Sequence, residues 1–503
     1  MTMTRALMIQ GTASNAGKSF LVAGLCRLYA RRGLSVRPFK PQNMSNNAAV
    51  AAVADANGER WGEIGRAQAL QARAAKVAPN SDMNPVLLKP QAENSAALIL
   101  NGLPRGNFSA AEWISARPQW RRHVLDAFAR LSNDADLVVV EGAGSPAETN
   151  LRHGDLANMG FADAADVPVV LVGDIERGGV IAQLVGTHAL LSENERARVV
   201  GFCINKFHGD PKLFTDGAAE ITRRTRWQMR ALFPWCDAAR RLPPEDSLAL
   251  DGGGGQHAGD GRAIVVHVPR LPRLANADDL DPLRFQPKVV LRVVPLEQPL
   301  TAGADLVFLP GSKAVRQDLA ALRASGRDLE LRRWAAEGGA VVGVCGGYQM
   351  LGREIIDADG VEGEAGASEG LGLLPVVTRL AREKVVLEAS GCEAESGLAV
   401  SGYEIHNGRT EPVGAAAPFL SLGGVAAGQR AGRIFGCYLH GLFAADEFRR
   451  GFLSRLFPDA RLPATEFESL VERALDDCAD FLEEHINADE WLDLARRPAQ
   501  SAD

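Results

Sequence analysis

Two stretches of this sequence combine residue types and spacings that imply chemistry. The first is Gly11-Thr12-Ala13-Ser14-Asn15-Ala16-Gly17-Lys18-Ser19. It follows an apolar run over residues 6–9 and opens an amphipathic segment over residues 20–32. In a strand–loop–helix context, the loop N–H groups face the phosphates of a nucleotide, Lys18 supplies a point charge and the Ser19 hydroxyl reaches Mg²⁺. Gly11 stands one residue earlier than the usual spacing, and Thr12 occupies the place where glycine is expected. The second stretch is Gly343-Val344-Cys345-Gly346-Gly347. Small residues flank one cysteine at a predicted strand-to-helix turn, as a sharp nucleophile elbow requires. The sulfur then lies at a helix start, which lowers a thiol pKa, and neighbouring N–H groups can cradle an oxyanion. Gly311, in Leu309-Pro310-Gly311-Ser312, is a candidate second oxyanion donor, with Gly346 the first.

A thiol nucleophile needs a base, and the chain holds nine histidines. His440 closes the apolar run before Gly441-Leu442-Phe443 and is the first candidate. His406, in Ser401-Gly402-Tyr403-Glu404-Ile405-His406, is the second, with a hydrogen-bonded structural histidine as its competing reading. Near the nucleotide loop, Lys40 can touch a phosphate or a substrate carboxylate; the alternative is a solvated surface lysine. Glu141, before Gly142-Ala143-Gly144, suits an Mg²⁺ ligand, because Mg²⁺ takes few protein carboxylates and keeps waters. Glu63 is read at a helix start, either as a metal ligand or as a carboxylate favoured by the helix dipole. Asn205 suits a base-reading amide or a turn residue.

The elements that must position these groups alternate. Strands are predicted over 6–10, 36–40, 97–100, 137–141, 167–172 and 199–204, and helices over 18–32, 60–76, 119–131, 179–191 and 214–225. Continuous apolar strands alternating with helices predict an α/β fold with a mostly parallel, doubly wound sheet and ligands at the strand C-terminal ends. After the Gly-rich stretch 251–261 the pattern repeats. Strands are predicted over 263–268, 289–294, 306–309 and 340–344, with one long helix over 314–336. Helices then follow over 446–456, 466–485 and 488–495. The expected organisation is a nucleotide-binding domain at 1–250, a linker at 251–261, a second α/β domain at 262–460 and a helical extension at 461–503.

With 503 residues, 46% apolar and 23% charged, the chain is expected to form at least two soluble globular domains. A net charge of −7 gives no basic excess for nucleic acid or an anionic membrane surface. Seven scattered cysteines without a C-x-x-C pair argue for reduced thiols. With no signal peptide and no apolar run of bilayer length, they set the expectation of a cytoplasmic protein.

Gly343-x-Cys345-x-Gly347-x-Gln349, with His440 far downstream, resembles a class I glutamine amidotransferase domain. The N-terminal half, with Gly11-Thr12, Gly17-Lys18-Ser19, Lys40-Pro41 and Glu141-Gly142-Ala143-Gly144, resembles the dethiobiotin synthetase type of P-loop domain, which shares the displaced first glycine. The fusion carries Phe39 to Ser45, Glu63 to Gln68, Asn84 to Pro90 and Gly402 to His406, and is similar to the cobyric acid synthase family. That resemblance implies ATP, Mg²⁺ and glutamine as the nitrogen donor. It implies amidation of the b, d, e and g carboxylates of adenosylcobyrinic acid a,c-diamide, a corrinoid, to adenosylcobyric acid. Carried over by motif, Cys345 is the nucleophile, His440 its base, and Gly311 and Gly346 oxyanion donors, and Gln349 helps bind glutamine. Thr12, Asn15, Ala16, Gly17, Lys18, Ser19, Lys40 and Asn205 fall at ATP-binding positions, and Ser19, Glu141 and Glu63 at metal-binding ones.

Many class I domains carry Glu two residues after the histidine; here Leu442 stands there. The third member of the triad is missing or comes from elsewhere. Without an orienting carboxylate His440 would be a weaker base, which predicts slow glutaminase activity unless the synthetase site is occupied. Asn276-Ala277-Asp278-Asp279-Leu280-Asp281-Pro282 reads as an acidic loop that caps a helix, with a border on the substrate as the alternative. The alternatives are cobyrinic acid a,c-diamide synthase, which shares both domain types, and a partition-type P-loop ATPase switch, which would leave Cys345 and His440 idle.

Overall fold

Apolar runs become buried strands here because helices cover both sheet faces. The computed structural model describes residues 5–54, 60–92, 95–243 and 262–495. The stretch 251–261, read as a linker, lies outside the described residues. The chain divides into two compact units. One gathers Met1–Ser45, Ala51–Glu245 and Leu470–Asp503; the other gathers Asn46–Val50 and Asp246–Ser469.

The first unit is built on a six-stranded sheet in the order Met229–Pro234, Val199–Phe207, Val169–Asp174, Arg5–Gly11, Leu137–Glu141, Val36–Phe39. Every pairing in it is parallel. The strand order reverses beside Arg5–Gly11, so the loops after Gly11 and Glu141 open on one crevice. The predicted strand near residues 97–100 exists, but as Ser95–Leu100 in a separate four-stranded sheet with Gln42–Met44, Val86–Ala92 and Leu103–Ser109. The helix predicted over 60–76 is shorter: Trp61–Gly65 is a strand and Arg66–Ala74 the helix. Glu63 therefore sits on a strand and not at a helix start.

From Leu470 on, the stretch read as an extension clusters with the first unit. The helix Phe467–His485 lies against the helix Lys18–Arg31, where Gly24 leaves room for Leu482: a Cβ on Gly24 would fall 2.6 Å from Leu482 Cδ1. The buried Arg27 guanidinium reaches Asp476 (2.8 Å) and Glu472 (2.5 Å), and Tyr29 Oη donates to the Ala488 carbonyl (2.8 Å).

The second unit has a parallel core in the order Val289–Val294, Ile264–Pro269, Leu306–Leu309, Ala340–Val344, Ile434–Cys437. An extension that sequence reading did not find continues the sheet: Val425–Ala431, Ala417–Leu422 and the 18-residue strand Val376–Glu393, which pairs antiparallel with Ala399–Pro412. The single helix predicted over 314–336 is two, Val315–Ala324 and Arg327–Ala336. Gly326 separates them with φ 73°, a left-handed turn that glycine adopts at no steric cost. Among the described residues, no helix is long and apolar enough to cross a membrane.

Candidate functional site

In the first unit, the loop from Gly11 to Ser19 connects strand and helix as its sequence demands. Asn15 (φ 60°) and Gly17 (φ 98°) take left-handed conformations that fold the backbone around a concavity. Gly17 is obligatory on two counts, because a Cβ there would also lie 2.1 Å from Asn205 Nδ2. That amide donates to the Ala16 carbonyl at 2.9 Å, so Asn205 braces the loop. Thr12 Oγ1 donates to Gln183 Oε1 (2.9 Å), closing the loop's other flank. Lys18 curls back over the loop, with Nζ 3.0 Å from the Ala13 carbonyl and 3.2 Å from that of Gly144.

Glu141 is the hub. Its Oε1 accepts from Ser19 Oγ and from Lys40 Nζ, both at 2.8 Å. Its Oε2 accepts from Gln71 Nε2 at 2.5 Å. Lys40 and Glu141 are both buried, which removes the solvated-lysine reading. Gln71 went unnoticed in the sequence. It lies three residues after Gln68 on one face of the Arg66–Ala74 helix, and Gln68 in turn accepts from Asn43 Nδ2 at 3.0 Å. Glu63 takes a different partner, Lys89 Nζ at 2.7 Å, in a buried ion pair.

The second unit holds the elbow. Cys345 has φ 53° and ψ −107°, a strained position for a residue with a Cβ. Its small neighbours are required by contact: a Cβ on Gly346 would lie 2.6 Å from Ser312 N, and one on Gly347 would lie 2.0 Å from Leu309 O. The elbow thus sits directly on the turn that carries Gly311. A Cβ on Gly311 would in turn approach His440 Cε1 at 3.4 Å. The Cys345 thiol donates to the Ile405 carbonyl at 3.6 Å. Cys26, Cys203 and Cys437 are wholly buried, and burial pushes their thiols up, away from nucleophilic character.

His440 is buried and fully engaged. Its Nδ1 lies 2.7 Å from Asp279 Oδ2, while Gly441 N–H donates to Asp279 Oδ1 at 2.7 Å. The Tyr403 ring stacks on the imidazole, centroids 5.1 Å apart, and Tyr403 Oη donates to Asp278 Oδ2 at 3.0 Å. Burial pushes the imidazole pKa down, but the Asp279 carboxylate and the Cys345 sulfur attract the charged ring more strongly and hold it well above its ordinary value. An orienting carboxylate is therefore present, supplied by the 3₁₀ helix Ala277–Leu280 and not by the position of Leu442. Leu442 at the usual acidic position thus does not leave His440 without an orienting carboxylate.

His406 is near the elbow but occupied: Nδ1 contacts the Gly408 carbonyl (2.8 Å), Nε2 contacts Glu404 (3.4 Å), and the ring stacks on Tyr438 at 3.6 Å. Gln349 donates to Tyr438 Oη at 3.2 Å, and its buried Oε1 has no partner. That open acceptor lies one helical turn from the elbow.

The family comparisons agree with this arrangement. Residues 7–248 match a CobQ/CobB/MinD/ParA nucleotide binding domain, and residues 265–448 match a CobB/CobQ-like glutamine amidotransferase domain. A cobyric acid synthase of Methylorubrum populi is 52% identical over 500 residues, spanning 98% of this chain and 100% of that protein. Those of Cereibacter sphaeroides and Mesorhizobium japonicum are 51% and 50% identical, with the same coverage.

Proposed function

Because the chain belongs to the cobyric acid synthase family, we propose that it amidates the b, d, e and g carboxylates of adenosylcobyrinic acid a,c-diamide, using ATP, Mg²⁺ and glutamine. The observation that carries this reading is the buried Asp279–His440 pair beside the strained Cys345 elbow, in the same chain as a Lys18–Ser19–Glu141 phosphate-loop cluster.

The chemistry runs in two halves. His440 Nε2 takes the Cys345 proton, and the thiolate attacks the side-chain carbonyl carbon of glutamine. The Gly311 and Gly346 N–H groups face the oxygen that gains charge. The carbon–nitrogen bond breaks, and ammonia leaves with the proton held at Nε2. Water, deprotonated by the same nitrogen, then cleaves the thioester to glutamate. In the nucleotide unit a corrinoid carboxylate oxygen attacks the γ-phosphorus of ATP, and ADP leaves. Ammonia displaces phosphate from the resulting acyl phosphate. Lys18 and Lys40 balance phosphate charge in this step. Ser19 Oγ and Glu141 Oε1, 2.8 Å apart, form a hydroxyl–carboxylate pair suited to Mg²⁺, a hard cation that keeps most of its waters. Bound there, it would neutralise phosphate charge.

Replacing Cys345 with Ser tests the division of labour. Amidation from glutamine should be lost while amidation from added ammonium persists; a nucleotide switch would be indifferent to the change. Supplying each corrinoid with ATP and glutamine and counting amides by mass separates the family's reaction from that of cobyrinic acid a,c-diamide synthase. A product that gains only two amides, on a substrate unamidated at a and c, overturns the proposed reaction.

A further inference from the structure

Thiol activation asks two things of His440: a proton held at Nδ1 and a lone pair at Nε2 open toward Cys345. Asp279 secures the first. Nε2, however, has a second neighbour, the Asn276 amide nitrogen at 3.2 Å. The far end of that amide fixes which atom faces the ring. Ala48 N–H donates to Asn276 Oδ1 at 3.2 Å, so Oδ1 is the acceptor there and Nδ2 is turned to the imidazole. A second tie runs alongside it, from Ala277 N–H to Asn47 Oδ1 at 3.1 Å. Asn47, Ala48 and Asn276 are all buried, and all belong to the second compact unit. Asn276 adopts φ 53° and ψ 52°, a left-handed conformation that asparagine tolerates.

An amide donor at Nε2 occupies the lone pair that must receive the thiol proton. It also works against the second ring proton that Asp279 and the Cys345 sulfur favour, since N–H would then face N–H. We propose that Asn276 is a positioning residue that caps His440 Nε2 and restrains glutamine hydrolysis at rest, and that Asn47 and Ala48 hold the cap in place. The cap must rotate away before His440 can serve Cys345. Asn47 and Ala48 are joined to Lys40 only by residues 41–46 of the chain, so ligands drawn to Lys40 have a covalent route to the cap. The inference takes the glutaminase reading of Cys345 and His440 as its basis. The other titratable groups around the ring are Asp279 at Nδ1, Cys345, Tyr403 stacked on it, and Asp278 behind Tyr403.

The test measures glutamate release by the full-length enzyme with and without ATP and the a,c-diamide. Asn276→Ala should raise the unstimulated rate about five- to tenfold, the worth of one hydrogen bond. It should change the stimulated rate less than about twofold, because the cap is already open there. The acidic limb of the unstimulated pH profile should move to higher pH, since nothing then opposes the second ring proton. Ala48→Pro removes the N–H that orients Asn276, at the first position of a strand where proline is tolerated. It should raise the unstimulated rate in the same direction. Ammonium-dependent synthesis serves as the check on folding for both variants. An unchanged unstimulated rate in Asn276→Ala, or a fall in both rates together, overturns the cap. Residual glutamine hydrolysis in Cys345→Ser would instead overturn the glutaminase reading beneath it.

Discussion

Replacing Asp279 with Asn should disable glutamine use in a specific way. Both carboxylate oxygens are committed: Oδ1 accepts from Gly441 N–H and Oδ2 meets His440 Nδ1, each at 2.7 Å. An amide can supply an acceptor to only one of them. Gly441 N–H is a backbone donor that cannot turn, so the Asn oxygen stays with it and the NH₂ faces His440 Nδ1. The imidazole must then place its proton on Nε2, and the lone pair that should take the Cys345 proton is lost. The charged hydrogen bond alone is worth about 1.5–3 kcal/mol. At tenfold per ~1.4 kcal/mol that is roughly one to two decades in rate. Loss of general-base function adds further, within the ~10²–10⁴-fold range such groups contribute. We expect glutaminase kcat/KM to fall by about 10²–10³-fold while ammonium-dependent amidation is preserved. The sign of the pH effect follows from the raised imidazole pKa. Removing its anionic partner lowers that value, so the acidic limb of the residual profile moves to lower pH. Glutamate release assayed across pH decides the matter, and a loss under about threefold with an unmoved limb would refute the reasoning.

Other substitutions separate the remaining groups. Glu141→Gln should abolish amidation from both glutamine and ammonium, by at least about 10²-fold, yet spare unstimulated glutamate release. The fold should survive, because the unpartnered Oε1 of Gln71 can flip to receive the new NH₂; retained ammonium-dependent synthesis would count against Glu141 as the hub. Asp318, buried beneath Ser312, has its carboxyl pushed up to about 6 by burial, against the Ser312 hydroxyl (2.6 Å) and the Arg273 N–H (3.2 Å). A carboxyl raised in the folded state contributes stability below its unfolded pKa and loses it as pH rises through the folded value. Asp318→Asn should therefore gain on the wild type by about 2 kcal/mol between pH 4 and pH 7. Urea unfolding at both pH values would show this as a widening gap, and a constant gap would exclude it.

The two reactive stretches were legible because each is local. Gly17-Lys18-Ser19 and Gly343-Val344-Cys345-Gly346-Gly347 are dictated by a turn, and a turn's steric demands are written in adjacent residues. The alternation that gave the parallel sheets was legible for the same reason, as continuous apolar runs mark strands covered on both faces. Asp279 was not legible, because it meets His440 across 161 residues of chain. No spacing rule separates it from Asp278 or Asp281 in the same stretch. Gln71 was hidden in an Ala-rich helix where a polar residue reads as surface. The strand Trp61–Gly65 was absorbed into a helix because its five residues adjoin a strong helical pattern. The long antiparallel strands from Val376 to Pro412 went unread because they are mostly half-exposed and lack a clean alternation of buried and exposed residues.

The helices Phe467–His485 and Ala488–Leu494 complete the nucleotide-binding unit: Arg27 and Tyr29 find partners there at Glu472, Asp476 and Ala488. The chain is consequently nested in sequence, the segment 246–469 lying between parts of the first unit, and it cannot be cut in two at residues 251–261 without stripping the first helix of its cover. On the ribosome, the amidotransferase module is free to fold before its neighbour is whole. The nucleotide-binding module must wait, partly built, until the helices Phe467–His485 and Ala488–Leu494 emerge.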